Sequence, residues 1–183
     1  FNTGSFMHET IDEFFNIVRE NKMNLAEIEE DEIFKTVSEI IEENLNSAKN
    51  YIFTATAKYK VLVTRLKKIV SKALKYIIQT LIYSDFNEDG TEVEFSEKGK
   101  YKPIRLELED GKIDRIDTAK NDDGKYLRII DYKSSAKNID LNEVYAGLQI
   151  QLLTYMDAIC KEEDIFPAGV FYFSLLEQMV KAE

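Results

Sequence analysis

The chain has 183 residues, 44% hydrophobic and 11% aromatic, enough for one self-sufficient core and too apolar for a disordered segment. Its one cysteine, Cys160, excludes an internal disulfide and any cysteine-built zinc or iron–sulfur site within it, and its one histidine, His8, excludes histidine-pair metal motifs. The net charge of −10 argues against nucleic acid as a partner until its distribution is read.

The first half reads as helical. Phe6 to Val18 places Ile11, Phe14, Phe15 and Val18 at helical spacing, and Glu32 to Leu45 repeats the pattern with Ile33, Val37, Ile40 and Ile41. A long third helix is expected from Lys58 to Tyr83, with Val63, Leu66, Val70, Leu74, Ile77 and Leu81 as its apolar line. No acidic residue lies between Glu43 and Asp85, whereas eight lysines and arginines do. Arg65, Lys68, Lys72 and Lys75 form a separate basic line on that helix. Such a stripe can bind phosphates on an acidic protein, because screening confines the relevant field to about 8–10 Å. The plainer reading is a solvated helix face.

After Tyr83 the period changes. Thr91–Phe95 and Ile104–Leu108 alternate polar and apolar residues, as half-buried strands do. Ile113–Thr118 and Tyr126–Tyr132 are further strands, joined through the turn signal Asn121-Asp122-Asp123-Gly124. Leu141–Lys161 returns to helix, and Ala168–Leu175 reads as a buried strand. The order predicts an α/β fold around a mixed sheet. No apolar run reaches the roughly 18 residues of a membrane span, and the start shows neither an initiator Met nor a signal peptide. The expectation is a single domain over residues 1–183, a cytoplasmic segment of a longer protein truncated at both ends.

The chemistry concentrates in Gly111-Lys-Ile-Asp-Arg-Ile-Asp117 and Ile129-Ile-Asp-Tyr-Lys-Ser-Ser135. Leu127, Ile129, Asp131 and Lys133 share one strand face by the period of two, so an Asp and a Lys leave the end of an apolar strand side by side. A hairpin brings Asp114 in from the neighbouring strand. Two carboxylates and a lysine suit a hard divalent cation with oxygen ligands, Mg2+ above all. The matching chemistry is phosphodiester hydrolysis, with Lys133 holding or helping to deprotonate a water, or stabilising charge in the transition state. A surface Asp–Lys pair at a strand end is the alternative. Asp117 and Arg115 fall on the opposite strand face from Asp114, Arg115 as a structural ion-pair partner.

Taken in order, Gly4-Ser-Phe-Met-His8, G-x-I-D-R-x-D, D-Y-K-S, Gly147-Leu-Gln-Ile-Gln151-Leu-Leu-Thr-Tyr155 and Pro167–Phe173 resemble the RecB-like branch of the PD-(D/E)XK nucleases. Within it they are most similar to the nuclease domains of bacterial AddAB-type ATP-dependent helicase–deoxyribonucleases. The resemblance implies a restriction-endonuclease-like core, a central mixed β-sheet flanked by helices, with a helical N-terminal half. It implies Asp114 and Asp131 as metal-binding carboxylates, His8 as the helical histidine completing the metal site, and Lys133 as the catalytic lysine. Gln151 and Tyr155 match a Q-x-x-x-Y motif whose glutamine lies near the active site and whose tyrosine supports it or the DNA. Glu92 falls near an acidic position of an early family strand, with the alignment there left open.

Two departures stand out. The family's iron–sulfur cysteines are absent, so the cluster is expected only in the full-length protein, and the segment Leu106–Lys112 is shorter than the family hairpin. The function so implied is a Mg2+- or Mn2+-dependent DNA exonuclease acting on single-stranded ends without sequence preference. It would serve double-strand-break processing for recombinational repair beside an AddA-type helicase/nuclease partner subunit, with no membrane role. A stand-alone RecB-like exonuclease of the CRISPR-associated type and a non-catalytic DNA-binding scaffold of the same fold are the alternatives.

Overall fold

Asn2 starts the first helix: its side chain accepts hydrogen bonds from the amides of Gly4 (3.0 Å) and Ser5 (3.3 Å), groups with no partner inside the helix. The computed structural model describes residues 2–47, 57–95, 111–134 and 151–175. These fall into two compact units, a helical one up to Tyr83 and a sheet unit from Ser84 to Ser174.

In the helical unit, α1 (Thr3–Glu20) buries Phe6, Met7, Ile11, Phe14, Phe15 and Val18 along one face. A 3-10 turn at Leu25–Glu27 leads to α2 (Glu30–Ser47), whose first turn carries Glu30, Asp31 and Glu32, the sign that a helix N-terminus favours. The third helix, α3 (Ala57–Ile82), packs on α1 and α2 through Leu66, Val70, Leu74, Ile77 and Leu81. Polar links join the helices at the edges of this core. Asn44 donates to the Glu13 carboxylate at 3.0 Å, Lys67 pairs with Glu42, and Lys75 pairs with Glu30. All three helices start and stop within about one turn of the ends that periodicity predicts. No described helix is long and apolar enough to cross a membrane.

The sheet unit contains β1 (Asn87–Phe95), β2 (Gly111–Asn121), β3 (Gly124–Lys133), α4 (Gln151–Glu163) and β4 (Phe166–Ser174). The strands lie in the order β1-β2-β3-β4; the first two pairings are antiparallel and β3–β4 is parallel, so the sheet is mixed as predicted. A parallel pair needs a crossover, and α4 lies on it. Helix α4 inserts Leu152, Tyr155, Met156 and Ile159 into a cluster with Ile116, Leu127 and Ile129.

The β2–β3 turn is built by Asn121, whose side chain accepts from the amides of Asp123 (2.9 Å) and Gly124 (3.1 Å). Gly124 has φ +146°, and a Cβ there would sit 2.8 Å from the Phe166 ring, so the position requires glycine. Strand β1 begins earlier than the alternation at Thr91 indicates, because a register shift between Glu88 and Gly90 hides its first part. The expected strand Ile104–Leu108 and the start of the helix expected from Leu141 lie outside the described residues.

Candidate metal centre

Register places the acidic residues. In the β2–β3 ladder Ile116 faces Ile129 and Arg115 faces Ile130, so the next step outward sets Asp114 opposite Asp131. On the other side of β2, Thr91 faces Arg115 and Val93 faces Ile113, which sets Glu92 opposite Asp114. Alternation then gives Glu92, Asp114 and Asp131 one common face of the sheet, shared with Ile116 and Ile129. Oxygens of Glu92 and Asp114 lie within 4.8 Å of each other. Glu92 also pairs with Lys112 and has φ +50°, a left-handed conformation that strains a non-glycine residue.

The Asp114 carboxylate accepts a 2.7 Å hydrogen bond from the backbone amide of Tyr132. Asp131 pairs with the Lys133 ammonium at 2.5 Å, and that ammonium lies 5.3 Å from the centre of the Tyr172 ring on β4. Both members of the pair are half-buried, so each is reachable from solvent yet partly removed from it. On α4, Gln151 donates to the Tyr155 hydroxyl at 2.8 Å, one helical turn away. Tyr155 itself is buried in the core cluster, so it supports the glutamine from within.

The opposite face of β2 and β3 carries a buried ionic network. Arg115 pairs with Asp117 at 2.9 Å and donates to the Tyr132 hydroxyl at 3.0 Å, while Arg128 reaches Asp117 at 2.8 Å. Burial works against the Arg115 charge, but Tyr132 and Asp117 outweigh it and leave the guanidinium held more firmly protonated than usual. Burial raises the Tyr132 hydroxyl well above its ordinary value of 10, with Asp117 adding to the rise and Arg115 opposing it. Asp117 and Arg115 thus stand on the face away from Asp114, as alternation requires.

The other sequence candidates lie in the helical unit. His8 is half-buried on α1, next to Met7 at the margin of the apolar face. Arg65, Lys68 and Lys72 are exposed on α3, whereas Lys75 is tied to Glu30 on α2. Sequence reasoning left Glu92 unassigned and overlooked Tyr172. The usable signal for Glu92 was its place in the Thr91–Phe95 alternation, where an acidic side chain falls on one face of a strand beside that of Asp114.

Three carboxylates and a lysine on one face of neighbouring strands form an oxygen-rich donor set, which fits a hard divalent cation and the hydrolysis of phosphate esters. A cysteine-ligated cluster has no donor set in this chain, whose one cysteine lies within α4 with its sulfur 3.7 Å from that of Met156. This site defines a metal-assisted nuclease of the restriction-endonuclease type. The model of the PD-(D/E)XK nuclease superfamily matches residues 1–183, and the chain belongs to that superfamily.

Its curated relatives include the B-type subunit of the ATP-dependent helicase/deoxyribonuclease of Ruminiclostridium cellulolyticum, 38% identical over 97% of this chain and 17% of the relative. The protein of the same name from Clostridium novyi is 39% identical over 98% of this chain and 17% of its own length, and that of Acetivibrio thermocellus is 37% identical over 97% and 17%. The chain spans about a sixth of the length of these relatives.

Proposed function

We propose that this chain is a divalent-metal-dependent deoxyribonuclease domain that cuts single-stranded DNA ends without sequence preference, as an exonuclease. The observation that carries the reading is the common sheet face of Glu92, Asp114 and Asp131, with Lys133 beside Asp131. Asp114, Asp131 and Glu92 would hold Mg2+ or Mn2+, and His8 is added as a ligand on the strength of the Gly4–His8 motif. The cation supplies Lewis acidity at the scissile phosphate.

The chain's own groups do the rest. The Tyr132 amide fixes the Asp114 carboxylate in one orientation. Lys133 brings a fixed positive charge to the end of β3, where negative charge develops on the phosphoryl oxygens. Gln151, oriented by Tyr155, supplies an amide for substrate or water at the same edge. Arg65, Lys68, Lys72 and Lys75 are the cations assigned to the DNA backbone, Lys75 sharing its charge with Glu30.

The relatives' names support a further step, membership of a helicase–nuclease with a second, AddA-type subunit that processes double-strand breaks for recombinational repair in the cytoplasm. We assign both units to one nuclease domain, which the family match over the whole chain supports. The test is cleavage of end-labelled single-stranded DNA in Mg2+, with EDTA and Asp131→Ala as controls. Cutting that both controls abolish is the expected result. Cutting that survives Asp131→Ala, or no cutting by the chain or by the longer protein with its partner, would overturn the reading.

A further inference from the structure

The outward face of α3 alternates two chemistries along one line. Arg65, Lys68, Lys72, Tyr76 and Tyr83 recur at spacings of three, four or seven residues, which keeps them within one stripe of the helix. Tyr83 stays on this path, because its amide bonds to the Gln79 carbonyl at 3.0 Å and extends the last turn. From Arg65 to Tyr83 the stripe runs roughly 27 Å at the helical rise.

The cations of α3 divide by direction. Lys67 and Lys75 turn toward α2 and are neutralised by Glu42 and Glu30. Arg65, Lys68 and Lys72 face solvent and make no ion pair among the described residues. Tyr76 is 49% and Tyr83 86% exposed, so two aromatic faces stand uncovered at the end of a row of uncompensated charge. Cations alone would suit any polyanion. Cations followed by exposed aromatic rings suit one whose bases are unpaired and can leave their own stack.

We propose that this face of α3 is a track for single-stranded DNA, in which Arg65, Lys68 and Lys72 hold backbone phosphates and Tyr76 and Tyr83 stack on bases. The proposal rests on the nuclease reading for the identity of the polymer and adds the strand type and the residues that select it. The i, i+3 and i, i+4 steps between the cations are about 4.5–6 Å along the axis, close enough for neighbouring phosphates of one strand to meet successive side chains.

The test is fluorescence anisotropy of a labelled oligothymidylate in EDTA, so that binding is read without hydrolysis. Tyr76→Ala and Tyr83→Ala should each weaken single-strand binding about tenfold and leave duplex binding unchanged, while Tyr76→Phe retains parental affinity. Joint replacement of Arg65, Lys68 and Lys72 by Gln should flatten the slope of log affinity against log salt by roughly 2. The chain contains no tryptophan, so Tyr76→Trp introduces a single reporter whose emission single-stranded DNA should quench.

Equal affinity of parent and alanine variants, or an unquenched Trp at saturating DNA, would overturn the track and leave the face to a protein partner or to solvent. The nuclease reading is judged separately. Tyrosine-dependent binding by a protein that cuts nothing in Mg2+ upholds the track and sinks that reading, and cutting without tyrosine dependence does the reverse.

Discussion

The backbone amide of Tyr132 donates a 2.7 Å hydrogen bond to the carboxylate of Asp114, so that a main-chain group of β3 holds a side chain of β2. The bond lies just beyond the last Arg115–Ile130 pair of the ladder and fixes the Asp114 rotamer while leaving oxygen lone pairs for a cation. Asp114→Asn keeps this acceptor and removes the charge. Cleavage should be lost, the melting temperature in EDTA should stay near that of the parent, and the rise that Mg2+ produces in the parent should vanish. An undiminished rise would place the cation elsewhere.

Lys133 is expected to act on the reaction and not on cation binding. Lys133→Ala should lower kcat by about 10²–10³, the scale of removing one charge-stabilising donor. Its removal frees Asp131 from the ion pair, so calorimetric Mg2+ affinity should be equal or higher. A parallel loss of affinity and rate would show that the lysine organises the site instead.

At Glu92 stability and activity should part. Its φ of +50° costs a non-glycine residue about 1 kcal/mol, and its ion pair joins a half-exposed Lys112 and is worth little. Glu92→Gly should therefore raise stability by about 1 kcal/mol in urea unfolding while weakening Mg2+ binding and cleavage. Glu92→Gln, which keeps the strain, should lose activity without that gain. A destabilised glycine variant would mean that the backbone is unstrained there.

The network behind the site should set the stability of the sheet unit. Asp117→Ala strands two guanidinium groups, that of Arg115 fully buried, and should cost about 3–5 kcal/mol. Alkaline pH strains the same place. The folded state holds the Tyr132 hydroxyl proton more tightly than the unfolded chain does, so this stabilisation is intact below pH 10 and falls as pH rises above it. Urea unfolding at pH 9 and pH 11 should show the decline, and Tyr132→Phe should lessen it. An equal decline in that variant would assign it to other groups.

The helices were legible because α1, α2 and α3 carry unbroken apolar periodicity, with no glycine or proline inside the last two. Strand alternation put Asp114 and Asp131 on one face and sent Arg115 and Asp117 to the other, and the ladder has that arrangement. Long-range geometry was not legible. The Lys75–Glu30 pair depends on how α2 and α3 pack, which no local spacing encodes. The pairing of Lys133 with a Tyr172 face depends on the parallel register of β4, reached only across α4. Glu92 was obscured by the register shift that interrupts β1 before it.

The Asn121–Gly124 turn is about 24 Å along β3 from Asp131, at the usual rise of an antiparallel strand. It nevertheless acts as the gauge of the carboxylate alignment, because pairing propagates outward from it one residue at a time. A single residue inserted between Asp122 and Asp123 would move every later side chain of β3 to the other face and exchange Asp131 for a hydrophobic neighbour at the cation. Catalytic competence in this chain is therefore written partly as a count of residues in a loop that touches neither metal nor DNA.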